Sequence, residues 1–225
     1  MPGEGYMAER LAGFDRSLLP PAPDLSFEQS LWKAGILNIA GIDEAGRGAL
    51  AGPVAAAALV LACDPTLTQI LAGVRDSKQM TPQQRELCAG RLKNTALAWG
   101  VGYASPQEID ILGILPATRL AAQRALEALN LCPDHILLDC LFLPDHSLPQ
   151  TSLVKGDCRS LSIAGASVLA KTARDALLRD LDGCYPGYGF AAHKGYGTHA
   201  HLEALARMGP CPIHRMSFAP IRVAG

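Results

Sequence analysis

The sequence predicts one α/β domain in which helices cover both faces of a mixed β-sheet. Three observations predict it. Short apolar runs bounded by turn residues dominate the first hundred residues, and strands alternate with amphipathic stretches after that. Hydrophobic residues make up 49% of the 225-residue chain but aromatics only 5%, so aliphatic helix-on-sheet packing is the natural core. A chain of this length can bury one sizeable core.

Taken in order, residues 1–34 read as an N-terminal extension, loosely ordered or helical, broken by Pro20, Pro21 and Pro23. Residues 35–225 read as the folded domain. Ile36–Asp43 is a short buried strand ending in two acids, Asp43 and Glu44. Gly46-Arg47-Gly48 forms a turn, and Ala55–Ala62 a second strand. Thr81-Pro82 supplies an N-cap followed by proline at the first helical position, starting a helix over Gln83–Lys93. Leu97–Ala104 is a third strand. Ser105-Pro106-Gln107-Glu108 is a capping box, and Ala117–Asn130 carries apolar residues at helical spacing. His135–Cys140 is another buried strand with an acid, Asp139, near its end. Helices over Ser162–Leu181 and Thr198–Met208 follow, the second closed by Gly209 and Pro210.

The net charge of −1 excludes a surface that is basic all round, but not a basic face beside an acidic site. The seven cysteines form no C-x-x-C pair and no zinc spacing, so reduced thiols in a cytoplasmic protein are expected. The longest apolar run, Val54–Cys63, is too short to span a membrane, and the first 30 residues lack the apolar stretch of a signal peptide.

Acids recur where predicted buried strands end: Asp43 with Glu44, then Asp139. Asp157 precedes the long helix in Lys155-Gly156-Asp157. A carboxylate next to ILNIAGI or HILL is costly to desolvate without a partner. Four carboxylates with no paired thiolate or histidine ligands favour hard cations, Mg²⁺ or Mn²⁺. Two such ions ~3.5–4 Å apart suit phosphodiester hydrolysis. Successive strand side chains point to opposite faces, so a bend at Glu44 is expected to bring it round to Asp43. The following glycines let backbone N–H groups approach a ligand, with Arg47 available for a phosphate.

The motif Gly41-Ile42-Asp43-Glu44-Ala45-Gly46-Arg47-Gly48, followed by Leu50-Ala51-Gly52-Pro53-Val54, resembles the opening block of the type 2 ribonuclease H family (ribonuclease HII) nearly letter for letter. Asp76-Ser77-Lys78, Leu138-Asp139, Lys155-Gly156-Asp157 with the helical block Ala166–Asp175, His193–Thr198 and His214-Arg215 resemble its later blocks, in order. The resemblance covers about Ile39 to Pro220. It implies a ribonuclease-H-like fold and cleavage of RNA in RNA–DNA hybrids and at ribonucleotides embedded in DNA, leaving 5′-phosphate and 3′-hydroxyl ends. It implies Asp43, Glu44, Asp139 and Asp157 as catalytic metal ligands. One ion is expected chiefly on Asp43 and Asp139 and the other on Asp43 and a neighbouring acid, with the division among the acids left open. Gly46, Arg47 and Gly48 match the loop that senses the 2′-hydroxyl. Tyr196 matches the tyrosine that packs on the sugar at the RNA–DNA junction, with Tyr188 as a rival. Lys78, Lys171 and Arg174 fall in blocks expected near the phosphate backbone.

Two positions depart from the family pattern: Cys140 stands where glycine is common, and Gly165 interrupts a usually alanine-rich stretch. Asp175 reads as a helix-surface ion pair, and the histidines as structural or solvated. A monomer without an obligate protein partner is expected. The alternatives are a hybrid-binding module that has lost catalysis, or another nuclease or resolvase on the same fold. A 2′-hydroxyl sensor speaks against the resolvase, because it is useless on pure DNA.

Overall fold

The computed structural model describes residues 19–221 together with Phe14, Asp15 and Ser17. Most of the expectation for residues 1–18 lies outside the described residues. Five strands, β1 (Ile39–Ala45), β2 (Val54–Val60), β3 (Ala98–Ala104), β4 (His135–Asp139) and β5 (Gln150–Leu153), form one sheet in the order β3-β2-β1-β4-β5. β1, β2 and β3 make an antiparallel meander, and β4 and β5 add in parallel on the other side of β1. The mixed sheet flanked by helices is therefore as the sequence predicts. β5 has no counterpart in that reading; its four residues, Gln-Thr-Ser-Leu, carry no apolar run to announce it.

The helices are α1 (Ser26–Lys33), α2 (Leu67–Ile70), α3 (Pro82–Thr95), α4 (Pro106–Leu112), α5 (Ile114–Glu127), α6 (Leu161–Cys184), α7 (Phe190–His193) and α8 (His199–Met208). Capping boxes at Thr81/Gln84 and Ser105/Glu108 start α3 and α4, each with proline in its first turn. Gly113, with φ of 84°, separates α4 from α5, so the second helix begins three residues before the expected Ala117.

The two faces of the sheet bury separate cores. Ala57, Leu59 and Leu137 face the 24-residue α6, while Ile42, Ala56, Ala58, Ile136 and Leu138 face α5. Helix α6 lies almost on the backbone of β1: a Cβ at Gly41 would meet the Ser162 carbonyl carbon at 2.3 Å. Gly165 has the same explanation, since a Cβ there would lie 2.3 Å from Leu59 Cδ2. The departure from the family pattern at Gly165 is compensated by a bulky leucine on β2.

Helix α1 belongs to this core. Leu25 and Trp32 join the α6-side cluster, and the buried Glu28 accepts hydrogen bonds from the Ser160 and Ser162 hydroxyls and the Ser162 N–H at 2.6–3.0 Å. Ser160 is the N-cap of α6. The carboxylate at that helix start is thus Glu28, which suits the positive end of the helix dipole, and Asp157 is left free for another role.

Candidate active site

Strand alternation and the parallel β1–β4 register build the acidic cluster. Ile42 pairs with Leu138, so Asp43 and Asp139 sit one step further along adjacent strands, both on the α6 face. Asp157 follows in a 3₁₀ turn, Gly156–Cys158, and the Gly156 N–H donates to Asp139 Oδ1 at 2.7 Å. Asp43 and Asp157 are only 4% and 2% exposed.

The expected bend at Glu44 is absent. β1 stays regular through Glu44 and Ala45, which pair with Ala56 and Ala55. Alternation therefore starts Glu44 from the opposite face. It lies beyond the end of β4, where no strand covers it, and its longer side chain can reach round the sheet end. Glu44 interacts with both Asp43 and Asp139 electrostatically.

The electrostatics are those of buried acids that repel one another. Burial raises the Asp43 carboxyl well above the usual range, and the charges of Glu44, Asp139 and Asp157 raise it further, against a hydrogen bond from Ser167. Burial and Asp157 lift Asp139 to about 6. Burial also raises Glu44, although Arg47 and Lys78 oppose it. Partial desolvation pulls the Lys78 ammonium down, but the attraction of Asp43, Asp76, Asp157 and Asp139 more than offsets this and leaves it above the ordinary lysine value. Two buried carboxylate oxygens of this cluster, Glu44 Oε2 and Asp157 Oδ1, have no hydrogen-bond partner. Hard oxygen donors left open in this way fit a divalent cation of the Mg²⁺ or Mn²⁺ type.

The glycine loop adjoins the acids. Gly46 has φ of 91°, a left-handed conformation that favours glycine, and a Cβ there would lie 1.9 Å from Arg174 Nε. Arg215 donates to the carbonyls of Gly46 (2.7 Å), Arg47 (2.8 Å) and Gly52 (3.0 Å). A trans peptide points its N–H away from its carbonyl. Turning the Gly46 and Arg47 carbonyls inward therefore sends the N–H groups of Arg47 and Gly48 outward. The exposed Arg47 side chain bonds Glu44 at 3.2 Å.

Arg174 is not where a phosphate contact requires it. It is fully buried, and Nε, Nη1 and Nη2 donate to the carbonyls of Pro53, Lys194 and Ala51 at 2.8–3.0 Å. It supports the loop and the Tyr196 ring, whose centroid lies 5.5 Å from its guanidinium carbon. Expected near the phosphate backbone, Arg174 instead spends its guanidinium on backbone carbonyls, a difference that nothing local in the sequence reveals. Lys171 is half-buried, 5.3 Å from the same ring centroid, with its Nζ on Asp175 at 2.7 Å. Asp175 is likewise buried rather than on the surface, and pairs with Arg85 as well.

Tyr196 is half-exposed beside this loop. Tyr188 is buried, stacked on Phe190, and its hydroxyl donates to the Gly209 carbonyl at 2.7 Å. Of the two, Tyr196 has the freer ring.

Sequence reasoning missed several neighbours. Ligand atoms of Asp76, Asp157 and Cys158 lie within 4.8 Å of one another. Asp76 opens the Asp76-Ser77-Lys78 block, and its carboxyl was the available signal. Arg215 stands in the His214-Arg215 block, and Glu28 carried no comparable signal. Cys140 has φ of 47°, which explains why glycine suits that position. A recess of about 270 Å³ between α5 and Leu143–His146 contains none of the acids. Among the described residues, no helix is long and apolar enough to cross a membrane.

Comparison with known proteins gives the family and agrees with the fold. The ribonuclease HII family model matches residues 40–221. Ribonuclease HII of Chloroflexus aurantiacus is 54% identical over 202 residues, covering 88% of this chain and 94% of that protein. The Moorella thermoacetica enzyme is 52% identical over 193 residues, covering 86% and 92%. Among solved structures, ribonuclease H2 from Pyrococcus horikoshii superposes with a TM-score of 0.69 at 26% identity, covering 83% of this chain and 96% of that one. Bst-RNase HIII shares the fold, with a TM-score of 0.61 at 20% identity, covering 84% and 69%. The chain belongs to the ribonuclease HII family and is a ribonuclease H, an enzyme class that acts on RNA–DNA hybrids with divalent metal ions.

Proposed function

We propose that the protein hydrolyses the RNA strand of RNA–DNA hybrids and also cuts on the 5′ side of a single ribonucleotide in duplex DNA, leaving 5′-phosphate and 3′-hydroxyl ends. The observation that carries this reading is the juxtaposition of two kinds of group. Four carboxylates, two of them with an open oxygen, stand beside a loop whose backbone N–H groups point outward.

Asp43, Glu44, Asp139 and Asp157 would hold two Mg²⁺ or Mn²⁺ ions. When bound, such ions supply an activated water and neutralise the departing oxygen. The chain's own residues do the rest. Gly156 holds the Asp139 carboxyl in place by its N–H, and the Ser167 hydroxyl holds that of Asp43. Lys78, set among the acids, is placed to meet a phosphate as well, and the exposed Arg47 is the second phosphate contact. Fixed backbone donors at Arg47 and Gly48 can recognise one 2′-hydroxyl without needing a run of ribonucleotides. Tyr196 packs on the sugar across the cut, where a deoxyribose leaves room for the ring. Such an enzyme fits ribonucleotide removal from DNA by a cytoplasmic monomer.

The test is cleavage of a DNA duplex carrying one ribonucleotide, with Mg²⁺, Mn²⁺ or EDTA. A single cut 5′ of the ribonucleotide with either ion, and none with EDTA, is expected. No cleavage of that duplex by an enzyme that still cuts an all-RNA hybrid strand would remove the single-ribonucleotide reading.

A further inference from the structure

Next to the Tyr196 loop, and outside the proposed catalytic machinery, three histidines pack ring against ring. His193 stacks on His201 with centroids 4.3 Å apart and planes 14° apart, and His201 bonds His214 Nε2 to Nε2 at 3.0 Å. His201 and His214 are buried. Tyr188 and Phe190 pack around the rings.

Backbone groups at the ends of this chain of rings fix every proton. The Tyr196 carbonyl can only accept, so His201 Nδ1 carries a hydrogen and donates to it at 3.0 Å. His201 Nε2 is then a lone pair, and His214 Nε2 must donate to it. His214 Nδ1 correspondingly accepts from the Cys211 N–H at 2.9 Å. The Cys211 carbonyl, 3.2 Å from the same nitrogen, already accepts from the His214 N–H. His193 Nε2 donates to the Tyr188 carbonyl at 2.8 Å, and its Nδ1 accepts from the Gly195 N–H at 3.1 Å. Each end of the Gly195–Tyr196 turn is thus held by a neutral ring of defined tautomer.

We propose that His201, backed by His214 and stacked on His193, is a positioning residue that sets the Tyr196 ring for the RNA–DNA junction. This inference rests on the junction role proposed above for Tyr196. The bond is made by the backbone of Tyr196, so it fixes the root of the side chain without touching substrate. A proton added to His201 at Nε2 would face the His214 Nε2–H, and one added to His214 at Nδ1 would face the Cys211 N–H. Burial, with the neighbouring His193 and His214, accordingly holds His201 down at about 4, and burial also lowers His214. The ionisable groups against these rings are His193, Tyr188, Cys211 and Tyr196 itself.

The test compares His201→Leu with His201→Asn, whose side-chain amide can occupy the Nδ1 position and still donate. Cleavage kinetics are measured on a duplex with one ribonucleotide and on an all-RNA hybrid strand. His201→Leu is expected to lose about tenfold more kcat/KM on the first substrate than on the second, and His201→Asn to restore most of the difference. In a Tyr196→Ala background the His201→Leu change should add no further substrate preference. Equal losses on both substrates would reduce His201 to packing and overturn the proposal. If Tyr196→Ala alone affects both substrates equally, the junction reading of Tyr196 fails instead, independently of the histidines. Imidazole ¹⁵N spectra of the wild-type protein give a readout that needs no variant to fold. His201 protonated at Nδ1 and His214 at Nε2, with His201 staying neutral well below pH 6, are expected. The opposite tautomer, or ordinary titration of His201, would overturn the network.

Discussion

The two halves of the candidate site are both polar and both largely buried, yet they are finished to different degrees. At the acid end, Glu44 Oε2 and Asp157 Oδ1 lack partners, and neighbouring carboxylates raise the proton affinity of Asp43 and Asp139. In the glycine loop, Arg174 and Arg215 commit Nε and both Nη atoms to carbonyls, and the histidine nitrogens behind Tyr196 are paired from Cys211 to Tyr196. Open valence marks where a ligand is to be taken up. Closed valence marks what must hold still while that happens.

The sharpest way to break this contrast is to remove one open carboxylate. Asp43→Asn should lower cleavage by about 10³-fold or more with an unchanged circular dichroism spectrum, because a neutral amide is a poor ligand for the cations proposed to stabilise the reacting phosphate. Retention of a tenth of wild-type turnover would take Asp43 out of the centre of the mechanism.

The closed half should respond in stability. Arg215→Met strands three inward carbonyls, at a cost of about 3 kcal/mol, which for a protein of this size lowers the melting temperature by about 6–12 °C. A shift within about 2 °C would mean the loop is not held by that side chain.

Asp139→Asn should act in the opposite direction. The folded-state pKa of Asp139, about 6 against an ordinary 3.8, is raised, so the folded protein binds the extra proton. Its contribution to stability is fully present below about 3.8 and is lost as the pH rises through 6. In metal-free buffer the variant should therefore gain on wild type between pH 4 and 6 and then level off, about 2–3 kcal/mol ahead. Millimolar Mg²⁺ or Mn²⁺ should raise the melting temperature of wild type more than that of the variant. A gap that shrinks with rising pH, measured by urea unfolding, would contradict the repulsion at this site.

The smallest effect belongs to Lys171. Its ammonium is engaged by Asp175 and lies against the Tyr196 ring, so Lys171→Met should weaken substrate affinity by less than about tenfold, about 1 kcal/mol. A larger loss, with a reduced salt dependence of binding, would restore it as a direct phosphate contact.

The same contrast explains what could be read from the residues. Asp43, Asp139 and Asp157 were legible because an acid beside an apolar strand or at a helix start is chemically conspicuous, and Gly46 because a tight turn needs it. The mixed sheet was legible from the order of strands and helices. Arg174 and Arg215 were not, because nothing local separates an arginine that reaches inward from one in solvent; their partners lie between 20 and 169 residues away. The regularity of β1 at Glu44 was misread for a related reason. Alternation is a local rule, while the sheet end that lets Glu44 reach round is set by where β4 stops.

Glu28 ties the two ends of this history together. It is made early in synthesis, and its partners Ser160 and Ser162 follow 132 and 134 residues later. The cap on α6, and with it the seat of the turn carrying Asp157, can therefore close only after nearly three-quarters of the chain has emerged. Long-range closure of this kind is slow to nucleate. The last of the four acids proposed as metal ligands is consequently seated only once the chain has grown past Ser162.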